Sequence, residues 1–249
     1  VDINITKEKQ AEEESYNALM KEKQLNELKS NFVSMASHEF RTPLSSIQSS
    51  AALIKRYSEL EQQDKRERHI EKINSNVKNL NLILNDFLSL EKIEGGLIAN
   101  NPKELSLSDF LLEIIEETSP LKKKDQEIIF EPEHRSDVVS FDPFLLRNIL
   151  NNLLSNAFKY SSMDGCIKMR TSQSKEHIII SVIDRGIGIS KQDQEQLFSR
   201  FYRASNATNI QGTGLGLNIV KRYAQLMQAE ITFESELNKG SIFSIKLKK

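Results

Sequence analysis

The chain has 249 residues, which is enough for one large domain or two ordinary ones. Its 34 basic and 35 acidic residues nearly cancel, to a formal net charge of −1, and the basic residues are scattered, so no electrostatic case exists for binding nucleic acid. The single cysteine, Cys166, excludes an internal disulfide and favours a reducing, cytoplasmic compartment. No apolar run approaches the roughly 18–20 residues that span a bilayer. Because the chain begins at Val1, we expect a fragment whose missing N-terminal part could tether it to a membrane.

The first third of the chain predicts two long amphipathic helices. Apolar residues recur every three or four positions from Leu25 to Ile54, and the polar stretch RYSELEQQDKRE contains the turn. In the second helix the apolar seam repeats strictly in steps of three and four, at Ile70, Ile73, Val77, Leu80, Leu84 and Phe87. Two such hairpins bury their apolar stripes as a four-helix bundle, so we expect a homodimer. A monomeric hairpin packed on the second half is the alternative.

The glycines of IEGGLIANN mark a domain boundary, after which strands and helices alternate irregularly. LSLSDFLLEIIEET predicts a short strand and a helix capped near Ser108 or Asp109. Strands are expected in EIIFEPE, DVVSFD, CIKMRTSQ and HIIISVID, and a helix begins near Pro143. A last helix, LGLNIVKRYAQLMQA, precedes a hairpin around LNKG. Hairpin-like strand pairs mixed with helices predict an α/β sandwich rather than a doubly wound sheet.

Two glycine-rich loops are candidate ligand sites. DRGIGI places Asp184 at the end of a strand, followed by Gly186 and Gly188, where backbone can approach a ligand closely. GTGLGL leads into a helix, which is typical of an anion site. A dinucleotide fingerprint and a Walker loop are both excluded, because Leu217 and Asn218 follow the last glycine. The protein-kinase motifs are absent as well.

One helix carries asparagine on a single face. Asn148, Asn152 and Asn156 recur every four residues, with Lys159 and Tyr160 one turn further on. Asparagine is a poor helix former, so this repetition indicates a face that meets something polar. An amide oxygen can ligate Mg²⁺, and a lysine can meet a phosphate as a point charge. A merely solvated face is the alternative.

The stretch SMASHEFRTPLSSIQ carries a histidine on the polar side of the first helix. At 100° per residue, His38 falls nearly opposite the apolar side that includes Phe40 and Leu44, so we expect it to face solvent, with Thr42 on the same face. A neutral imidazole is a competent nucleophile toward a γ-phosphate, and the adjacent Glu39 can hold the other ring nitrogen or take its proton. An ordinary surface histidine is the alternative.

Taken in order, these motifs resemble the five boxes of the sensor histidine kinases of two-component signalling. SHEFRTPL resembles the histidine box, NLLSNAFKYS the asparagine box, DRGIGI and GTGLGL the two glycine boxes, and LFSRFYR the phenylalanine box. The resemblance covers roughly residues 25 to 249. It implies a dimeric helical hairpin that carries a phosphorylated histidine, and an ATP-binding domain of the kind shared with gyrase and the heat-shock chaperone ATPases.

The implied organisation has four parts. Residues 1–24 would link to an upstream sensor, since the stretch VDINITKEKQAEEE resembles the exit of a PAS sensor domain. Residues 25–94 would form the dimerisation and phosphotransfer domain. Residues 95–101 would be a linker and residues 102–249 the catalytic ATP-binding domain. The family pattern His-Gly-Gly after the last helix is replaced by Met227, Gln228 and Ala229, which puts that turn in doubt.

The resemblance also implies residue roles. His38 would be the phosphoacceptor, Glu39 its general base, and Thr42 the residue that positions water for phosphatase action. Asp184 would read the adenine amino group, Asn156 would ligate Mg²⁺ and Arg203 would reach the terminal phosphates. The full set of nucleotide-binding residues would be Asn152, Asn156, Lys159, Tyr160, Asp184, Gly186, Gly188, Phe198, Phe201, Arg203, Gly212, Thr213, Gly214, Leu215 and Gly216, with Phe198 and Phe201 anchoring a lid.

The implied activity is ATP-dependent autophosphorylation on His38, with ATP and Mg²⁺ as cofactors. The phosphoryl group would pass to an aspartate in the receiver domain of a response regulator, and the same protein would dephosphorylate that regulator. Two rivals from other classes are a dimeric scaffold that binds nucleotide without transfer and an ATPase clamp. Neither needs His38, Glu39 and Thr42 together, which favours the kinase.

Overall fold

The computed structural model describes residues 16, 19–20, 37, 39–57, 62–133, 138–162, 165–208, 210 and 212–248. These residues fall into two compact units that divide between Ile83 and Leu84. His38 and most of the predicted N-terminal linker lie outside the described residues. The domain limits expected from the sequence remain predictions.

The first unit contains an antiparallel helical hairpin, and the second helix of this hairpin continues past Ile83 into the residues of the second unit. Helix α1 covers residues 39–56 and helix α2 covers Gln63–Glu94, so one helix ends and the next begins within the stretch predicted to contain the turn. Near this turn the ring of Tyr57 stacks on that of His69, with 5.8 Å between centroids. Further along, the amide nitrogen of Asn76 donates to the Ser46 hydroxyl at 3.2 Å. Later residues of α2 therefore meet earlier residues of α1, which confirms the hairpin.

The second unit contains a mixed five-stranded sheet with the order β2–β4–β5–β7–β6. Its strands are β2 (Glu127–Glu131), β4 (Cys166–Gln173), β5 (His177–Asp184), β6 (Glu230–Glu236) and β7 (Gly240–Lys248). The β2–β4 pair is parallel and the other three pairs are antiparallel. Strands β1 (Lys103–Ser106) and β3 (Val138–Phe141) form a separate antiparallel pair.

The core lies between the sheet and three helices: α3 (Leu107–Thr118), α4 (Pro143–Tyr160) and α6 (Gly216–Leu226). Residues of β5 alternate strictly between buried and half-buried, which is the period-2 pattern of a strand covered on one face. The short helix α5 (Lys191–Gln194) follows β5 and precedes α6 in the chain. The predicted α/β sandwich is confirmed.

Two element ends differ from the sequence prediction. Helix α3 begins earlier than expected, because the Ser106 hydroxyl accepts the Asp109 backbone N–H and caps the helix; the cap predicted at Ser108 or Asp109 was wrong. Helix α6 ends at Leu226 rather than at 229. The turn after it, which the missing glycines put in doubt, is made with Gln228 in the left-handed region at a φ of 54°.

Candidate nucleotide-binding site

Asp184, the last residue of β5, is a buried carboxyl group at the edge of the sheet. Its side chain is 8 % exposed and accepts the backbone N–H of Gly186 at 2.7 Å. Burial raises the pKa of Asp184 to about 6, against the smaller opposing effect of backbone hydrogen bonds from Gly186 and Ser241. A buried carboxyl whose hydrogen-bond donors are backbone N–H groups is a candidate for recognising a further donor on a ligand.

The first glycine loop packs directly on the end of the asparagine-bearing helix. The Ile187 backbone N–H donates to the Tyr160 carbonyl at 3.2 Å. A Cβ at Gly186 would lie 2.6 Å from that same carbonyl oxygen, so only glycine fits there. This contact brings Asp184 and the C-terminal end of α4 together, as the motifs predicted.

The asparagine face of α4 meets the second glycine loop. A Cβ at Gly216 would lie 2.8 Å from the Asn152 side-chain oxygen. Two turns later on α4, the Lys159 ammonium nitrogen lies where a Cβ at Gly212 would be. The amide nitrogen of Asn152 donates back to the Asn148 carbonyl at 3.0 Å, so its oxygen is the atom that faces the loop. The Asn152 amide oxygen and the Lys159 ammonium group thus line one side of a glycine-rich loop.

The phenylalanines of LFSRFYR anchor the segment between the glycine loops. The ring of Phe198 packs edge-on against Phe233, with 5.7 Å between centroids. Phe201 has a φ of 61°, and a Cβ at Gly214 would lie 2.6 Å from its carbonyl carbon. The phenylalanine segment and the second glycine loop therefore fit together backbone against backbone.

Arg203 organises the chain that follows the phenylalanines. Its guanidinium donates to the backbone carbonyls of Ala207, Thr208 and Ile210. The predicted contact of Arg203 with terminal phosphates stays a prediction, and in this structure the side chain holds its own loop.

A cluster around Asp193 was not found by sequence reasoning. Its carboxylate, 5 % exposed, accepts the hydroxyls of Tyr202 at 2.6 Å, Ser190 at 2.7 Å and Ser205 at 3.0 Å. These hydrogen bonds, the one from Tyr202 first, lower the pKa of Asp193 to about 2. Asp193 therefore ties α5 to the root of the loop held by Arg203. The only signal in the sequence was an acidic residue three positions after Ser190.

The C-terminal end of α4 is capped by two side chains that the motifs also missed. The amide nitrogen of Gln126 donates to the carbonyls of Phe158 at 2.9 Å and Ser162 at 2.8 Å. The Lys123 ammonium donates to the carbonyls of Lys159 and Ser161. A cation at a helix C-terminus also interacts favourably with the helix dipole. These caps fix the turn that carries Lys159.

The residues expected around the phosphoacceptor lie in α1. Glu39 is half-buried and Thr42 is exposed. Because His38 is outside the described residues, the common face of His38 and Thr42 stays a prediction.

The donors present fit a magnesium ion held mainly by a nucleotide. Within the described ranges, no group of three or more His, Cys, Asp or Glu side chains could hold a metal. Amide oxygens such as those of Asn152 and Asn156 supply few protein ligands, and Mg²⁺ commonly keeps waters and phosphate oxygens as the others.

Among the described residues, no helix combines the length and apolarity needed to cross a membrane.

The sheet, the buried carboxyl and the glycine loops facing an asparagine helix define a nucleotide-binding domain. Comparison with family models agrees: residues 141–249 match the histidine kinase-, DNA gyrase B- and HSP90-like ATPase, and residues 28–96 match the His Kinase A phospho-acceptor domain. With both domains in this order, the chain belongs to the two-component sensor histidine kinases.

Individual relatives point the same way. The chain is 32 % identical, over 94 % of its length and 32 % of the relative's, to the circadian input-output histidine kinase CikA of Synechococcus elongatus. The full-length ShkA structure in complex with AMPPNP is 27 % identical with a TM-score of 0.63, covering 85 % of this chain and 44 % of that one. Histidine kinase ThkA in complex with the response regulator TrrA shares the fold, at 21 % identity and a TM-score of 0.60 over 88 % of this chain and 61 % of that one. The chain spans about a third to a half of the length of the first curated relatives it matches.

Proposed function

We propose that this chain uses ATP to phosphorylate itself on His38 and then passes the phosphoryl group to an aspartate on the receiver domain of a response regulator. The observation that carries the proposal is the convergence of Asp184, the asparagine face of α4 and the second glycine loop on one site, in a chain that also contains a phosphoacceptor hairpin. The AMPPNP bound to ShkA and the regulator bound to ThkA support the same two partners here.

Each part of the site has a role in binding ATP. Asp184 accepts a hydrogen bond from the adenine amino group. The glycine loops let backbone approach the nucleotide, and Lys159 neutralises phosphate charge. Tyr160 lines the pocket, and the lid that Phe198 and Phe201 anchor closes over it. Mg²⁺, held by Asn156 and the phosphates, supplies further charge neutralisation when bound.

Transfer to His38 is a substitution at the γ-phosphorus. A ring nitrogen of His38 forms the new bond to phosphorus, the bond to the bridging oxygen breaks, and ADP leaves with the electron pair. Glu39 holds the other ring nitrogen or takes its proton, which keeps the attacking nitrogen unprotonated. Positioning and charge neutralisation provide most of the acceleration.

Thr42 acts in the reverse direction. One turn beyond His38, its hydroxyl positions a water that hydrolyses the phospho-aspartate of the docked regulator. An upstream sensor shifts the hairpin between kinase and phosphatase arrangements. The working unit is a homodimer on the cytoplasmic side, attached to its sensor through residues 1–24.

Incubation with γ-labelled ATP tests the proposal. Wild-type chain should acquire label that is lost in acid and retained in alkali, as phosphohistidine is, whereas His38→Gln should bind nucleotide and take no label. Bound nucleotide without label on the wild type would favour a scaffold. Phosphate release without label on the wild type would favour an ATPase clamp.

A further inference from the structure

The end of α2 places a carboxylate on the second glycine loop. Asp86 lies in the compact unit that begins at Leu84, and its carboxylate accepts a hydrogen bond from the Thr213 hydroxyl at 2.9 Å. The same hydroxyl accepts the Leu215 backbone N–H at 3.1 Å, so Asp86 is connected through one side chain to the loop backbone. Burial raises the pKa of Asp86, whereas the Thr213 hydrogen bond and the charge of Lys159 favour its ionised form.

Other contacts hold this part of α2 against the same unit. Leu90 is 6 % exposed and belongs to the core, and Glu94 forms an ion pair with Arg200 of the phenylalanine segment. A side-chain hydrogen bond also joins Ser89 to the buried Tyr223 of α6. The contact between Asp86 and Thr213 is therefore part of a packed helix end and not an isolated surface pair.

The groups that meet Asp86 are the ones a nucleotide phosphate needs. Thr213 offers a hydroxyl donor in a glycine-rich loop before a helix, and Lys159 offers a positive charge beside Gly212. A carboxylate and a phosphate are both anions that accept such hydrogen bonds. They compete for the same donors and repel each other at close range.

We propose that Asp86 is an internal competitor of the triphosphate: its carboxylate uses Thr213 and Lys159, and ATP binds fully only when this end of α2 leaves the glycine loop. The apparent affinity for ATP is then reduced by the fraction of molecules in which α2 has left. A signal that displaces α2 raises that fraction and loads the kinase. This inference rests on the proposed nucleotide function and adds the regulation of the same site.

The test compares Asp86→Asn with Glu91→Gln, which removes the same charge from an exposed position five residues further along α2. Calorimetric titration with AMPPNP in Mg²⁺ should show about fivefold or tighter binding for Asp86→Asn than for either wild type or Glu91→Gln. Adenosine, which has no phosphate, should bind all three proteins equally. A role of Asp86 in folding alone would change both ligands together.

Equal or weaker AMPPNP binding by Asp86→Asn would overturn the proposal. Failure of every protein, wild type included, to bind AMPPNP would instead overturn the proposed function. A second measurement uses only the wild type, should the variant not fold. In the wild type, AMPPNP should speed amide hydrogen exchange at residues 84–94 and adenosine should not, whereas unchanged exchange at these residues with AMPPNP bound would also refute the competition.

Discussion

At the scale of single residues, the adenine-binding role proposed for the buried carboxyl of Asp184 predicts that nucleotide binding depends on pH. The adenine amino group donates a hydrogen bond, so it binds best to the ionised carboxylate, whose pKa in the free protein is about 6. Protonation below that value therefore opposes binding. We expect the affinity for AMPPNP to fall by up to about tenfold between pH 7 and pH 5, and binding at pH 6 to release a proton. Calorimetry in buffers of different ionisation enthalpy measures both effects.

The raised pKa of Asp184 makes folding stability change with pH in the direction opposite to nucleotide binding. A carboxyl whose folded pKa is raised stabilises the fold fully below the unfolded value of 3.8, and this contribution is lost as pH rises through about 6. Asp184→Asn should remove the pH dependence from whatever nucleotide binding remains. A wild-type affinity that does not change between pH 5 and pH 7 would contradict the role given to Asp184.

Asn156 is a residue at which one added charge should separate chemistry from folding. In the proposed site, Asn156→Asp would change a metal-ligating amide to a carboxylate beside the triphosphate, so labelling should fall by about tenfold or more. The fold should survive, because the residue is half-buried on a polar face. Asn148→Asp, two turns earlier on the same face, is the control and should label normally. Normal Mg²⁺-dependent labelling by Asn156→Asp would mean that the face is only solvated.

At the scale of elements, we expect the root of the proposed lid to depend on Asp193. Asp193→Asn removes the charge that accepts three hydroxyls, so the segment around Tyr202 and Ser205 should exchange amide hydrogens faster and AMPPNP should bind more weakly. Asp125→Asn, in an exposed turn, is the matched control. Because the pKa of Asp193 is lowered to about 2, the stability contributed by the hydrogen bonds to its carboxylate is fully present above the unfolded pKa of 3.8. This stability is lost as pH falls toward 2. Unchanged amide exchange in Asp193→Asn would contradict the role of Asp193 in holding this segment.

The turn after α6 tests how an unfavourable residue is tolerated. A non-glycine residue in the left-handed region costs about 1–2 kcal/mol, and glycine loses about 0.5–1 kcal/mol in chain entropy on folding. Gln228, at a φ of 54°, should therefore be improved by Gln228→Gly, with a gain of roughly 0.5–1 kcal/mol in the unfolding free energy. Gln225→Gly, inside α6, should lose about 1 kcal/mol. Urea unfolding measures both changes, and a destabilised Gln228→Gly would show that the glutamine side chain makes contacts that matter.

The sequence could predict the features that depend on nearby residues, and it could not predict those that depend on residues far apart in the chain. Strands β4 and β5 and helix α4, which carries the asparagines, were predicted correctly because their evidence is a local periodic pattern. The start of α3 was missed because Ser106 and Ser108 are equally good caps, and pairing of β1 with the distant β3 decides between them. The Asp86–Thr213 contact joins residues 127 apart, which no local pattern indicates.

At the scale of the whole molecule, the apolar seam of α2 remains to be covered. Ile70 is 45 % exposed and Val77 is 43 % exposed in the single hairpin, although both belong to the strict three-and-four repeat. A repeat of this kind is buried by another helix of the same pattern, and the His Kinase A domain is the dimerising domain of its family. A second copy of the hairpin is therefore the expected partner of this stripe.

Val77→Lys should break that partnership, because it places a charge in the centre of the four-helix bundle, where it would be desolvated without a partner. Sedimentation across a range of concentrations should show a dimer for the wild type and a shift toward monomer for the variant by about tenfold or more in dissociation constant. Val138→Lys is the control, since Val138 is 70 % exposed in β3 and should leave the dimer unchanged. AMPPNP affinity should persist in both variants, because the nucleotide site is built by residues of the second unit. A wild type that stays monomeric at all concentrations would contradict the dimer and favour the hairpin that packs its stripe within one chain.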